Sequence, residues 1–104
     1  MKDLPEIYAR VVAKRPELGF VYLRHDGACW TTGKTIYCDS TAAALILALW
    51  VEALPGAAWL GRTTTPVHGW RVCYRNDRSE TTSYDLVRFS PIEALAAFYL
   101  GETT

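Results

Sequence analysis

The chain has 104 residues, of which 50% are hydrophobic, 12% aromatic and 21% charged. This composition is typical of a globular protein and excludes long disordered segments, so residues 1–104 are expected to form a single domain. Eleven basic residues balance eleven acidic ones. Proteins dominated by contacts with phosphate or acidic membranes are usually basic, so the zero net charge argues against both kinds of partner.

The three cysteines, Cys29, Cys38 and Cys73, are odd in number and lack paired spacing. Reduced thiols in a cytosol are therefore a simpler interpretation than a disulfide framework or a zinc ribbon. Residues 1–5 contain no apolar signal region. The longest apolar run, Ala42–Val51, is about half as long as a membrane span. We therefore expect a cytoplasmic protein that does not insert into a membrane.

The first part of the chain predicts one helix followed by short strands. Apolar residues at helical spacing predict a helix over residues 4–14. The β-prone segment Phe20–Leu23 precedes Asp26–Gly27, a dipeptide that strongly favours a hairpin turn, and Ala28–Thr32 is the candidate return strand. The segment 19–38 is either a hairpin or a long ordered loop, and we favour strands.

A second helix is predicted over residues 41–54, with Asp39 or Ser40 as its N-cap. Apolar residues occupy all of its sides, and Glu52 is its only charged residue. A helix of this kind is buried by a sheet plus another layer, or it faces a partner. We therefore expect either a homodimer through this helix or complete burial within the monomer. The candidate self-association residues are Ala44, Leu47, Ala48 and Val51.

The second half of the chain predicts an antiparallel meander and a closing helix. Strands are predicted over residues 57–63, 68–75 and 81–89. Ser90 is the expected N-cap of the closing helix, and Gly101 is the expected residue just after its end. The whole chain is therefore expected to be α+β, with an antiparallel sheet of about three to five strands layered with about three helices, in the manner of an α/β/α sandwich.

Arginine and aromatic residues are interleaved through the predicted meander. On its central strand, alternation places Trp70 and Tyr74 on one face and Arg71 and Arg75 on the other. The simplest interpretation is that the aromatic residues belong to the core and the arginines are solvated. A protein interface is the next alternative, and nucleic acid is less favoured because the net charge is zero. The candidate partner-binding residues are Arg62, Arg71, Arg75, Arg78, Arg88, Trp70, Tyr74 and Tyr84.

Two groups of residues invite a catalytic or metal-binding interpretation. His25, Asp26 and Cys29 could form an activated nucleophile, but they crowd a predicted turn, where neighbouring side chains often point apart. His68 could join the cysteines around a metal ion, but the spacing of metal ligands is lacking. The sequence therefore predicts no catalytic residue, no metal and no enzyme.

Phosphate-binding and acid–base motifs are also weak. Gly33-Lys34-Thr35 resembles the end of a phosphate-binding loop, but the upstream glycine is missing. The carboxylates Asp77, Glu80 and Asp85 lie among arginines, so we expect cross-strand ion pairs on an exposed surface. No cofactor is predicted from these segments.

The order of several segments resembles a family of phage proteins. Tyr37–Ala44 opens an Ala-rich helix, Trp70-Arg71-Val72 lies in a strand, and Ser90–Ala94 opens the closing Ala-rich helix. This arrangement looks like the phage "ABA sandwich" domain, found in small proteins of phages and prophages, over about residues 37–99. The resemblance implies a viral or prophage origin and an antiparallel sheet layered with helices. It supplies no catalytic residues.

These observations together lead to a ranked expectation of function. The first is a small phage- or prophage-encoded accessory protein that binds a host bacterial protein or complex. An inhibitor of a host defence system, such as an anti-CRISPR protein, is one concrete form of it. The alternatives are a nucleic-acid-binding regulator that uses the arginine and aromatic sheet surface, and a self-assembling structural phage protein. A small enzyme that acts through His25 or Cys29 is the last of the alternatives considered.

Overall fold

A computed structural model describes residues 4–20, 23–25, 29–32, 35–64, 68–75 and 81–101, apart from the side chains of residues 23, 24, 32 and 81–86. Within this part of the chain the α+β class is confirmed, since three helices pack on antiparallel sheet. In chain order the elements are α1 Leu4–Lys14, β1 Leu23–His25, β2 Trp30–Thr32, β3 Thr35–Tyr37, α2 Asp39–Glu52, β4 Ala58–Thr63, β5 Gly69–Arg75, β6 Thr81–Arg88 and α3 Pro91–Leu100.

The described strands form two three-stranded antiparallel sheets. Sheet 1 has the order β1–β2–β3, so the strands expected within residues 19–38 are confirmed. Its register places His25, Trp30 and Tyr37 in one cross-strand row. Paired residues project from the same face, so this row forms one side of the sheet. Trp30 is buried in the core, which attaches sheet 1 to the helices.

Sheet 2 is the predicted meander, in the order β4–β5–β6. Leu60 of β4 pairs with Val72 of β5, and both side chains join the core on the face where α3 packs. The ladder between β5 and β6 is irregular between Trp70 and Val72. Such irregularities increase the local twist of a sheet.

Gly69 lies next to this irregularity, where β5 and β6 approach each other so closely that only glycine fits. A Cβ atom at this position would overlap the Val87 side chain and the carbonyl oxygen of Arg88. Glycine lets the two backbones approach each other here because it has no side chain.

The second helix begins at Asp39 and ends at Glu52, so the predicted range of 41–54 is corrected at both ends. Cys38 occupies the N-cap in place of the two predicted residues, and its side chain makes no capping hydrogen bond. Trp30 Nε1 instead donates to Asp39 Oδ1 at 2.9 Å. The Asp39 carboxylate, which local sequence predicted as a cap of α2, therefore bonds to Trp30 of sheet 1 instead.

Helix α3 is the central element of the fold. It packs against sheet 2 and against both other helices. Six of its ten residues are buried, Ile92, Leu95, Ala96 and Tyr99 among them. Ser90 Oγ accepts a hydrogen bond from the Glu93 amide at 3.1 Å, and Gly101 has a φ of 73°, so both predicted helix ends are confirmed.

Helix α2 buries one stripe, formed by Ala42, Ile46 and Trp50. Trp50 Nε1 donates to the Leu18 carbonyl oxygen at 2.8 Å, and the Tyr99 hydroxyl donates to the Trp50 carbonyl oxygen at 2.5 Å. A buried polar atom without a partner costs about 1–3 kcal/mol, and these bonds avoid that penalty. The stripe therefore joins α2 to the 3-10 turn that follows α1 and to α3, while the opposite side of α2 remains outside the core.

Candidate protein-binding surface

The structure brings three of the eight candidate partner-binding residues into one cross-strand row. Arg62 of β4 pairs with Trp70 of β5, which pairs in turn with Arg88 of β6. Directly paired residues project from the same face of a sheet. We call Arg62, Trp70 and Arg88 the Arg–Trp row. It places one aromatic ring between two arginines.

Arg62 is exposed and Trp70 is half-buried. The Arg62 guanidinium carbon lies 5.8 Å from the centroid of the Trp70 ring. This is a cation–π distance, and such a contact at an exposed site contributes about 0.5–1 kcal/mol. The contact therefore orients the guanidinium over the ring while leaving its side chain accessible.

Arg88 extends the row toward the helices. It lines a shallow depression of about 220 Å³ between α1 and α3, together with Ile7, Arg10 and Glu93. The depression combines the charged side chains of Arg10, Arg88 and Glu93 with apolar ones.

Phe89 is the residue that sequence reasoning missed. It directly follows β6 and is 89% exposed. A hydrophobic residue just before a helix cap commonly packs against the fourth helical residue, here Ala94. That packing is not made, since Phe89 remains exposed and its potential partner is only a methyl group. Its position before a strong cap is the one signal in the sequence that could have drawn attention to it.

The other candidates are divided between the two faces of sheet 2. Arg71 and Arg75 alternate with the Arg–Trp row along β5, so they occupy the opposite face, as predicted. Trp59 of β4 pairs with Cys73 on that opposite face and is itself exposed. The eight candidates therefore do not form one surface.

Tyr74 shares the face of the Arg–Trp row and is half-buried, and Tyr84 is paired with Val72 in the register of sheet 2. Arg78, Asp77 and Glu80 lie outside the described residues, and the same is true of the side chains of Tyr84 and Asp85.

The outer side of α2 carries the candidate self-association residues. Ala44, Ala48 and Val51 are exposed, and Val51 is 41% accessible. Leu47 is half-buried because it packs against the core. Leu45 is a further exposed apolar residue on this helix. Among the described residues α2 is thus not completely buried within the monomer.

Cys38 stands at the junction of sheet 1 and α2 and is exposed. Its Sγ lies 3.1 Å from Ser40 Oγ and 3.3 Å from Thr41 Oγ1. These two hydroxyls, aided by the backbone amides of the same residues, lower the pKa of the Cys38 thiol to about 7. Hydrogen bonds of this kind stabilise the thiolate.

The residues considered for catalysis and metal binding lie in separate settings. His25 ends β1 and contacts the Trp30 ring edge-on at 5.1 Å, Cys29 precedes β2, and Asp26 is outside the described residues. His68 is exposed and Cys73 is buried in sheet 2. In the described part of the chain, no three His, Cys, Asp or Glu residues are grouped as metal ligands.

Two further features of the sequence concern phosphate binding and membrane insertion. Of the segment that resembles a phosphate-binding loop, Thr35 begins β3 and the preceding Gly33 and Lys34 are outside the described residues. None of the helices described is long and apolar enough to cross a membrane.

Comparison with known protein families, with curated proteins and with solved structures finds no match to this chain. A fold class alone does not determine what a protein does, whereas the geometry and chemistry of a surface limit what it can bind.

Proposed function

We propose that this protein is a small phage-encoded accessory protein that acts in the cytoplasm of a bacterial host by binding a host protein. The binding surface is the Arg–Trp row together with Phe89. The observation that carries the proposal is the exposure of Phe89, which is 89% accessible. In sequence it directly follows Arg88, the last member of a row in which Trp70 lies between two arginines. The phage origin comes from the order of segments in the sequence.

Residue chemistry supports a protein as the partner. Trp and Arg are enriched among the few interface residues that contribute most of the binding energy, and aromatic residues in general are enriched at interfaces. Burial of a fully exposed Phe side chain contributes about 1.5–3 kcal/mol. The partner is expected to offer an apolar pocket for Phe89, with carboxylates near Arg62 and Arg88.

The test is affinity capture from a bacterial host lysate treated with nuclease, followed by a binding titration with the purified captured protein. Phe89→Ala and Arg62→Glu should each weaken binding about tenfold or more, because each removes a central contact. Arg75→Glu, an exposed charge reversal on the opposite face, is the matched control for Arg62. Ile36→Ala is the control for Phe89, since Ile36 is 70% exposed on the other sheet.

Equal loss of binding in the control variants would contradict this surface. Capture that disappears on nuclease treatment would favour the alternative of a nucleic-acid-binding regulator, whose affinity would fall steeply with salt. An inhibitor of host defence predicts that expression of the protein protects an incoming phage from CRISPR interference. Phe89→Ala should abolish that protection.

A second candidate function, self-assembly, is favoured by one separate observation. The outer side of α2 exposes Ala44, Ala48 and Val51, and this side would be covered if two copies packed these helices together. Sedimentation equilibrium would then detect a dimer that Ala48→Arg dissociates. A monomer at all concentrations would contradict this candidate and would leave the host-protein proposal unaffected.

A further inference from the structure

Two cysteines lie at corresponding ends of neighbouring strands in sheet 1. Cys29 directly precedes β2, and Cys38 directly follows β3. The antiparallel register pairs Trp30 with Tyr37, and one further step along the same register places Cys29 opposite Cys38. The Cys38 backbone is itself extended. The two cysteines are therefore cross-strand neighbours at the end of the ladder between β2 and β3.

The cross-strand position of this pair suits a disulfide. Directly opposed residues of antiparallel strands have Cα atoms about 4.5–5.5 Å apart, and disulfides span Cα separations of about 4.4–6.8 Å. Because side chains alternate along a strand, Cys29 and Cys38 share the face opposite the buried Trp30. Ile36 lies on that same face and is 70% exposed. Both cysteines are thiols in this structure, and the register supplies the backbone separation for a bond between them.

The two cysteines differ in exposure and in their surroundings. Cys38 is exposed, whereas Cys29 is half-buried. The Cys38 sulfur lies within hydrogen-bond distance of the Ser40 and Thr41 hydroxyls at the start of α2, which lowers the pKa of this thiol to about 7. A thiolate attacks oxidants, and cysteines that sense oxidants combine exposure and thiolate character with a second cysteine close by. Cys38 is thus suited to react first and Cys29 to react second.

We infer that Cys29 and Cys38 form a reversible disulfide when the protein meets a hydroperoxide. The Cys38 thiolate attacks one peroxide oxygen, and the O–O bond breaks, which leaves a sulfenic acid on Cys38 and releases water once the departing oxygen is protonated. The Cys29 thiol then attacks the Cys38 sulfur. The S–S bond forms, and the hydroxyl group leaves with the Cys29 proton as a second water. Two thiols are thereby oxidised by two electrons, and one hydrogen peroxide is reduced to two water molecules.

The disulfide acts on sheet 1 and on the helix that follows it. It closes a ring of residues 29–38, which contains β2 and β3 and ends at the N-cap of α2. A cross-link of this kind restricts the unfolded chain, so oxidation is expected to slow amide exchange in β2 and to leave β5 unchanged. The ring shares no residue with the Arg–Trp row on sheet 2. The inference is therefore independent of the proposed host partner.

The test is oxidation of the dilute full-length protein by hydrogen peroxide, followed by alkylation of the remaining thiols and peptide mass spectrometry without reductant. Trypsin cleaves after Lys34, which lies between the two cysteines in the sequence. The disulfide should therefore appear as peptides 25–34 and 35–62 joined to each other, and dithiothreitol should separate them. Cys73 lies in sheet 2 and should remain a thiol in the same sample.

Three variants assign the roles of the cysteines. Cys29→Ser should accumulate a sulfenic acid at Cys38 that dimedone traps, because the second thiol is missing. Cys38→Ser should slow the oxidation of Cys29 about tenfold or more at pH 7, because an ordinary cysteine then holds about a tenth or less of the thiolate fraction of Cys38. Cys73→Ser is the matched control and should form the disulfide at an unchanged rate.

Three results would overturn the inference. The first is oxidation of Cys38 to a sulfinic acid without linked peptides, which would show that Cys29 does not reach it. The second is a link only between two chains, which non-reducing electrophoresis would detect as a dimer. The third is oxidation of Cys29 at the same rate in Cys38→Ser as in the unaltered protein, which would show that Cys38 does not react first.

Discussion

The two sheets of this protein share one antiparallel pattern but are stabilised in different ways. In the described part of the chain, strands of sheet 1 span three residues each, whereas those of sheet 2 span six to eight. Sheet 2 packs along α3, with Leu60 and Val72 in the core. Sheet 1 reaches the core through the buried Trp30 and the half-buried Tyr37.

This difference concerns how each small sheet is supported. A small sheet requires packing against another element to be stable. Leu60 and Val72 of sheet 2 pack with the buried residues of α3 in one core. In the part of the chain that the structure describes, a surface depression of about 550 Å³ lies between sheet 1 and α1. The two sheets are therefore expected to differ in stability as well as in packing.

The largest expected effect concerns the support of sheet 2. Leu95 of α3 is fully buried in the core. Leu95→Ala should lower the free energy of unfolding by about 2–5 kcal/mol, because it removes apolar contacts and leaves a cavity. Urea denaturation measures this change. The control is Leu45→Ala on the exposed side of α2, and a similar loss in both variants would contradict the central role of α3.

The next effect concerns the close approach of two strands within sheet 2. Gly69→Ala should cost about 1–3 kcal/mol, because the added methyl group overlaps the Val87 side chain and the Arg88 backbone. Gly56→Ala is the matched control, since a Cβ at Gly56 meets open space. Thermal unfolding of both variants tests the prediction. If both alanine variants were equally stable, close packing at the irregular register would not be required.

A smaller and more local effect is expected in sheet 1. Trp30→Phe removes the hydrogen bond to Asp39 but keeps an aromatic ring. It should lower the stability of sheet 1 by about 1–2 kcal/mol. Hydrogen exchange should show faster exchange of amides in β2, with little change in β5. Equally faster amide exchange in β2 and β5 would show that the two sheets unfold together, which would contradict a difference in their stability.

The smallest effect is chemical and concerns the junction of sheet 1 with α2. The pKa of Cys38 is lowered to about 7 from its ordinary value. As pH rises through that value the thiolate forms, so alkylation by iodoacetamide should accelerate between about pH 6 and pH 8 and then level off, whereas an ordinary thiol continues to accelerate to higher pH. Peptide mass spectrometry measures the rate at each cysteine.

Two variants make this prediction specific. Removal of both hydroxyls in the double variant Ser40→Ala, Thr41→Ala should move the alkylation profile of Cys38 to higher pH. Cys73 is buried and provides an internal reference of low reactivity. An unchanged profile in the double variant would show that these hydroxyls do not stabilise the thiolate.

Local sequence predicted those elements whose signals lie within a few residues of one another. The range of α1, the Ser90 cap, the left-handed Gly101 and the order of strands in the meander were all predicted, because capping, turn chemistry and alternation are local effects. The start of α2 was predicted wrongly. The Asp39 carboxylate, one of the two predicted caps, instead accepts a hydrogen bond from Trp30 of sheet 1.

The candidate surface was predicted only in part. Alternation correctly separated Arg71 and Arg75 from Trp70, but it could not show that Arg62 and Arg88 would flank Trp70, since register between strands depends on tertiary packing. The exposure of Phe89 depends on what packs beside α3, and local sequence does not contain that information.

By itself the sequence determined the α+β class, the positions of the helices within about two residues and the presence of two strand-rich regions. Only the tertiary structure decided that the described strands form two separate sheets, that α3 rather than α2 is the buried helix, and that a depression remains between α1 and sheet 1. The physical reason is that local propensity depends on neighbours along the chain. Burial and empty space depend instead on how distant side chains fill volume together.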